Sequence, residues 1–265
     1  MPRMTRLTEM SASGTLVKPL LHQFVMDPAA DVPLNLLVQR PMPRKPDGRF
    51  HASQHPLMDE VDLYLWLTGK LPAGDDFDES AFNVRMAVMF GSLAHAVIEA
   101  FLGWTGRAVP LPAGECPSCG RPYRPLRARP GFRYCTEFGF AHPATRSSAH
   151  LDAILNFGDI RAAWSVAGDD VYGFDFKTIY PYGLKGIRDM DTAQFRDKWP
   201  KYWAQGQDCM RLSGLRKYIF LFMTMGSPWE FREFHLDFDP AFAMATEEKY
   251  LAVISHIERG VPILA

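Results

Sequence analysis

The sequence contains no apolar run approaching the roughly 18 residues that cross a bilayer, so a membrane-spanning helix is not expected. It also lacks an excess of either charge. Its 29 Lys and Arg offset 30 Asp and Glu to a formal net charge of −1, which excludes a polyanion binder that is basic over its whole surface. Cysteine is scarce, with four in 265 residues, too few for a disulfide-built scaffold. The opening MPRMTRLTEMSASGTL has no continuous apolar core of the signal-peptide kind, so the expected setting is cytoplasmic. What remains is 47% hydrophobic and 22% charged, the balance of an ordinary globular chain with one sizeable domain and an insertion, or two small domains.

A neutral total still leaves room for local basic clusters, because phosphate affinity depends on where Lys and Arg gather. One cluster is RPMPRKPDGR at 40–49. The other, RPYRPLRARPGFR at 121–133, carries Arg121, Arg124, Arg127, Arg129 and Arg133 with no acid between them. Arginine interleaved with proline suits a stiff basic finger able to meet a DNA backbone.

Residues 1–50 are proline-broken, with one short apolar run, LNLLV, and read as an irregular N-terminal arm. Apolar residues return at helical spacing over 56–70, with Gly69 as a stop, and over 80–103, where the helix is apolar around much of its girth. Composition then shifts to Pro, Gly, Arg and Cys over 107–135, an insertion rather than a core element. Short β-like runs follow at 132–140, 148–157, 160–167 and 171–180, with Gly158-Asp159 and Gly168-Asp169-Asp170 as the turns of a meander. A helix is predicted over 200–213, opened by Pro200 and closed by Gly214. Two more strands lie in RKYIFLFMTM and WEFREFHLDF, and a terminal helix is capped by Asp239 before Pro240. The order defines an α/β or α+β sheet flanked by helices.

The chemistry concentrates in VYGFDFKTIY. Alternate side chains of a strand share a face, so Asp175 and Lys177 project together from a largely apolar ribbon. A cross-strand ion pair would explain them at under about 1 kcal/mol. Upstream, Asp152 interrupts the apolar strand SAHLDAILNF. A carboxylate there is costly to bury unless it is paired or holds a cation. Two carboxylates and a lysine on neighbouring strands can meet at one point, and carboxylate oxygens are the donors that Mg²⁺ and Mn²⁺ favour.

Asp152 followed by Asp175-Phe176-Lys177 resembles the D-(x)n-(D/E)-x-K signature of the PD-(D/E)XK nuclease superfamily. Three further features are similar to its RecB-like exonuclease branch, which includes CRISPR-associated and phage recombination nucleases. FGSLAHAVIEAF supplies a G-x-x-x-H in Gly91 and His95; PKYWAQGQDCM supplies a helical Gln205; and HASQHPLMDEVDLYLWLTG looks like the segment before the first helix. The likeness covers roughly residues 50–225. It implies an α/β restriction-endonuclease-like core, a central mixed β-sheet flanked by helices, occupying 51–265 with the Cys/Arg-rich segment inserted. It further implies Asp152 and Asp175 as metal ligands, His95 as another, Lys177 acting on the attacking water, and Gln205 positioning Lys177 or the DNA backbone. Glu137 is the further acid, with Glu99 competing for that place. The activity implied is a Mg²⁺- or Mn²⁺-dependent deoxyribonuclease, an exonuclease acting on DNA ends in recombination or repair in a bacterial or phage-infected cell. The alternatives are an endonuclease or junction resolvase of the same fold, and a silent DNA-binding or assembly protein. A homo-oligomer or a recombination partner protein fits the same resemblance. Two departures are that the second acid is Asp175 where the branch commonly has Glu, and that Cys209 stands where a tyrosine often follows the glutamine.

Cys116-Pro-Ser-Cys119-Gly is a tight CxxC turn of the kind that binds Zn²⁺ or iron through thiolates. Cys135 and His142 are the nearest residues to complete four ligands. A zinc-stabilised finger is favoured over an iron–sulfur cluster, and the absence of any metal remains open beside it because a complete ligand set is not visible. Iron–sulfur relatives place three cysteines after the lysine strand, whereas only Cys209 follows it here, and Cys209 is expected to be a small buried hydrophobe.

Overall fold

A computed structural model describes Val17 and residues 47–71, 82–123, 135–158, 171–180, 183, 186, 189–225 and 230–263. Most of the predicted N-terminal arm, the run at 160–167 and Arg124, Arg127, Arg129 and Arg133 lie outside the described residues.

The architecture is α/β, with mixed sheets flanked by helices, consistent with the restriction-endonuclease-like core expected from the sequence. Strand β1 (Phe50–His51) leads to helix α1 (Glu60–Leu67), whose N-terminal amides are capped by the Asp59 side chain. Gly69, at φ +69°, takes the left-handed conformation that ends it. Helix α2 (Phe82–Thr105) follows. Then come β2 (Phe138–His142), β3 (Ser147–Leu151), β4 (Ala153–Asn156) and β5 (Val171–Ile179). Helices α3 (Thr192–Lys198) and α4 (Pro200–Ser213), strands β6 (Lys217–Thr224) and β7 (Phe231–Asp237), and helix α5 (Pro240–Glu258) complete the order.

The strands form two sheets, β1-β3-β2 and β4-β5-β6-β7. The predicted strand at 148–157 is divided between them, with Asp152 at the bend that joins β3 to β4. Strand β4 runs antiparallel to β5, β5 parallel to β6, and β6 antiparallel to β7. The parallel β5-β6 pair departs from a simple meander, because α3 and α4 provide the crossover that parallel neighbours need.

Central placement buries both faces of β5. Tyr172, Phe174 and Phe176 pack with Ile219, Leu221 and the α2 residues Ile98, Phe101 and Leu102. On the other side, Tyr218, Phe220 and Phe222 pack with Phe195 of α3 and Trp203, Ala204, Cys209 and Met210 of α4. Gly206 lets α4 press onto the sheet, since a Cβ there would lie 2.8 Å from Leu236 Cδ1 and 3.0 Å from Phe220 Cε2. A third cluster ties β1 and α1 to α5: Phe50 stacks on Tyr250 at 4.3 Å, and Lys249 Nζ donates to the carbonyls of Pro56 and Met58 at 2.7 Å each. Among the described residues no helix is long and apolar enough to cross a membrane.

Candidate active site

The β4-β5 ladder ends with Ala153 opposite Phe174. Beyond that point the Asp152 side chain takes over, its Oδ2 accepting the Phe176 amide at 2.7 Å. The bend that breaks the strand therefore turns the carboxylate toward β5. His95, from α2, approaches the same oxygen, with Nδ1 at 3.5 Å. Its ring is fixed edge-on against Phe176, centroid to centroid 5.1 Å. Gly91, one turn earlier on α2, lies over Thr178, where a Cβ would sit 3.5 Å from Oγ1 in ordinary contact.

Asp175 receives its partners from two directions. Gln205 Nε2, from α4, donates to Oδ2 at 2.5 Å, and Lys177 Nζ donates to the same oxygen at 3.2 Å. Side-chain exposure rises from 3% at Asp175 and 10% at Asp152 to 22% at Lys177 and 34% at His95. The group is thus buried at its acids and partly exposed at its bases. Five of the expected residues, Asp152, Asp175, Lys177, His95 and Gln205, are brought together from α2, the β3-β4 bend, β5 and α4, with Gln205 bonded to Asp175 where Lys177 or a DNA backbone was expected.

Burial pushes the Asp175 carboxyl up to about 6; Lys177 opposes the rise and the Asp152 charge adds to it. Burial alone would lower the Lys177 ammonium, but Asp175 and Asp152 outweigh it and hold its pKa above the usual value. Lys177 therefore stays a donor. Among the described contacts the protein's donors fall on Oδ2 of both carboxylates, which leaves each Oδ1 for another partner. The two carboxylates supply oxygen donors of the kind that Mg²⁺ and Mn²⁺ favour, with the His95 imidazole beside Asp152.

The remaining expected residues lie elsewhere. Glu137 stands with the cysteines, where its charge acts on His150 and its carbonyl accepts from Cys135 Sγ at 3.2 Å. No described contact joins it to either aspartate. The Glu99 side chain lies outside the described residues. His142 sits exposed at the end of β2, and its Nδ1 hydrogen-bonds Thr145 Oγ1 at 2.9 Å, away from the thiols. His150 takes its place: one ligand atom each from Cys116, Cys119, Cys135 and His150 lies within 4.8 Å of the others, a group able to hold a metal ion. The register explains the exchange, because His150 on β3 faces Gly139 in mid-ladder whereas His142 pairs at its far end. No local sequence pattern distinguishes the two histidines, because cross-strand register decides which of them faces the CxxC turn.

All four cysteines are free thiols. Burial opposes ionisation of Cys116, yet hydrogen bonds from His150 and the Cys119 backbone outweigh it and lower its thiol to about 6. Arg121, the described member of the basic cluster, is exposed, and its carbonyl accepts the Cys116 amide at 2.7 Å. Cys209 is buried within α4, as expected for a small hydrophobe. Tyr202, also on α4, was not anticipated, although its phenol lies close enough to act on the charge of Lys177.

No family model matches the chain, and no curated protein matches it. Among solved structures, the chain is similar to an alkaline exonuclease, LHK-Exo, from Laribacter hongkongensis, at 16% identity and TM-score 0.44 over 80% of this chain and 89% of that one. The same exonuclease in complex with dAMP matches at 15% identity and TM-score 0.43, with the same coverage. A structure of SSO0001 matches at 12% identity and TM-score 0.40, covering 90% of this chain and 87% of that one. Likeness at this level carries no function across.

Proposed function

We propose that residues 51–265 form a divalent-metal-dependent deoxyribonuclease, an exonuclease that hydrolyses phosphodiester bonds at DNA ends. The observation that carries this reading is the convergence of Asp152, Asp175, Lys177, His95 and Gln205, supplied by separate elements, on one half-open pocket. A cross-strand ion pair alone would need neither the break at Asp152 nor a glutamine from a helix aimed at Asp175. The end-directed, recombination or repair role rests on the resemblance of the sequence motifs to the RecB-like branch.

Asp152, Asp175 and His95 would hold Mg²⁺ or Mn²⁺, which when bound supplies Lewis acidity toward a phosphate oxygen and makes a coordinated water more acidic. The protein's own groups do the rest. Gln205 fixes the Asp175 carboxylate so that its ligand oxygen does not rotate. Lys177, held protonated by the two aspartates, donates to the attacking water or to a non-bridging phosphate oxygen and offsets the charge that develops there. In-line attack by the water forms the new P–O bond as the bond to the 3′-oxygen breaks, giving a 5′-phosphate and a 3′-hydroxyl, with the proton lost by the water passing to solvent and the leaving oxygen taking one from it. The 22% and 34% exposed side chains of Lys177 and His95 mark the side from which a strand enters.

The test is degradation of end-labelled linear DNA beside a covalently closed circle, in Mg²⁺, Mn²⁺ or EDTA, for the wild type and Lys177→Ala. Metal-dependent loss of the linear DNA alone, absent in the variant, is expected. Cutting of the circle would replace the exonuclease with an endonuclease of the same chemistry, and equal cleavage by the variant would remove the assignment of Lys177.

A further inference from the structure

The four-residue cluster outside the acidic pocket has the build of a closed metal centre. Cys116 and Cys119 come from a turn whose backbone closes twice: Gly120 N donates to Cys116 O, and Cys116 N to Arg121 O, both at 2.7 Å. Gly120, at φ +69°, allows the sharp exit after Cys119. Cys135 arrives just before β2, and His150 projects from β3.

The geometry selects a single ion. Tetrahedral zinc, with Zn–S of about 2.3 Å and Zn–N of about 2.0 Å, places its ligand atoms roughly 3.5–3.8 Å apart. Cys116 Sγ and His150 Nε2 are 3.5 Å apart, and all four ligand atoms lie within 4.8 Å of one another. An iron–sulfur cluster distributes its ligands over several irons and spreads them more widely. The surroundings are those of a supported ligand set. His150 turns its other nitrogen to Ser118, Nδ1 lying 3.4 Å from Oγ, which fixes ring orientation in the way metal-bound histidines are commonly fixed. Ser118 is 7% exposed. Opposite His150, Gly139 leaves the space that the Cys116 sulfur fills, since a Cβ there would lie 2.0 Å from Sγ. Tyr123 Oη accepts the Gly139 amide at 3.1 Å, and Arg49 donates to the Ser118 carbonyl. Each contact ties the turn at 116–123 to β2, to β3 or to the residue before β1.

We propose that Cys116, Cys119, Cys135 and His150 bind one Zn²⁺ as a structural clamp that pins the 116–123 turn and the start of β2 onto β3. The ion has no open position and takes no part in the acidic pocket. Its presence does not depend on whether that pocket cleaves DNA.

The test is elemental analysis of the untagged full chain, with cobalt spectroscopy of the same protein. One zinc per chain is expected, lost in Cys119→Ser and His150→Ala and kept in His142→Ala. Cys119 is exposed, so its replacement leaves the buried packing in place. Should a variant fail to fold, wild type reconstituted with Co²⁺ is expected to show the intense bands of tetrahedral cobalt thiolate. Amide exchange across 116–123 and 147–151 is expected to accelerate when zinc is stripped from the wild type by a chelator. Iron with sulfide, no metal at all, octahedral cobalt spectra, zinc retained in Cys119→Ser, or exchange indifferent to zinc would each overturn the proposal.

Discussion

The thiol cluster and the acidic pocket are neighbours in sequence and opposites in construction. His150 of the first, on β3, stands two residues before Asp152 of the second, at the bend where the chain leaves one sheet for the other. The cluster gathers three thiols and an imidazole within 4.8 Å of one another and braces its histidine from behind. The pocket gathers hard donors, holds a lysine among them and grades from buried to wet. Four mutually close ligands leave an ion nothing to do but hold the fold together, whereas two carboxylates with free oxygens leave room for water and substrate. The difference teaches that ligand softness, closure and access decide the role of each centre, since strand and location are nearly shared.

Perturbing the pocket should remove turnover and spare the fold. Lys177→Ala is expected to lower cleavage of linear DNA by about 10²–10⁴-fold, the usual contribution of a positioned proton-transfer or donor group, with the far-ultraviolet spectrum unchanged. Asp152→Ala is expected to be at least as severe in cleavage, because it withdraws a ligand carboxylate, and it is the pocket variant that also lowers stability, through loss of the acceptor of the Phe176 amide. Perturbing the cluster should do the reverse. An ion present at about a thousandfold above its dissociation constant stabilises by about 4 kcal/mol, and in a chain of this size each kcal/mol moves the melting temperature by roughly 2–4 °C. Cys119→Ser should therefore melt about 10 °C lower while cleaving at near the normal rate at low temperature. Comparable activity loss in the two variants would erase the contrast.

A subtler effect follows from the buried carboxylate. In the metal-free protein Asp175 has its pKa raised from 3.8 to about 6, so the fold holds a proton there that the unfolded chain releases. The sign is that this contribution is complete below pH 3.8 and is lost as pH rises through about 6. At roughly 1.4 kcal/mol per pKa unit it amounts to at most about 3 kcal/mol. Denaturation in EDTA should show this fall, and Mg²⁺ should reverse it above pH 6, where the carboxylate is ionised. Asp175→Asn should flatten both. The smallest effect is expected at Gln205→Ala, about 10–100-fold in cleavage, as for a group that orients a ligand without touching substrate, with Gln205→Asn recovering little because its shorter arm does not reach Asp175.

Much of this arrangement was written in residue patterns. Pro200 and Gly214 bound α4 in the structure as they do in the sequence, and Asp239-Pro240 opens α5. Asp152, Asp175 and Lys177 stand out because each is a charged residue in an apolar strand run, whereas His95 and Gln205 were reached through the motif resemblance, Gln205 lying on a helix that also carries Gln207 and Asp208. Other features depend on pairing that no local pattern encodes. The division of one apolar run into β3 and β4 follows from the Asp152 side chain substituting for a ladder acceptor, which periodicity does not register. Helix α3 is seven residues long and buries only Phe195, so it has no apolar period; its capping box, Asp191 with Gln194, was its one local sign. His150 displaced His142, and Glu137 fell beside the thiols, because strand register, not proximity in sequence, decides which side chains face the CxxC turn.

The most direct test of the central claim is calorimetric titration of Mn²⁺ into the wild type, Asp175→Asn and Cys119→Ser, each freed of loosely held metal. The account predicts saturable binding to the wild type and to Cys119→Ser, and none to Asp175→Asn. Equal binding by the wild type and Asp175→Asn would show that the acidic pocket holds no catalytic cation, and the nuclease reading would fall with it.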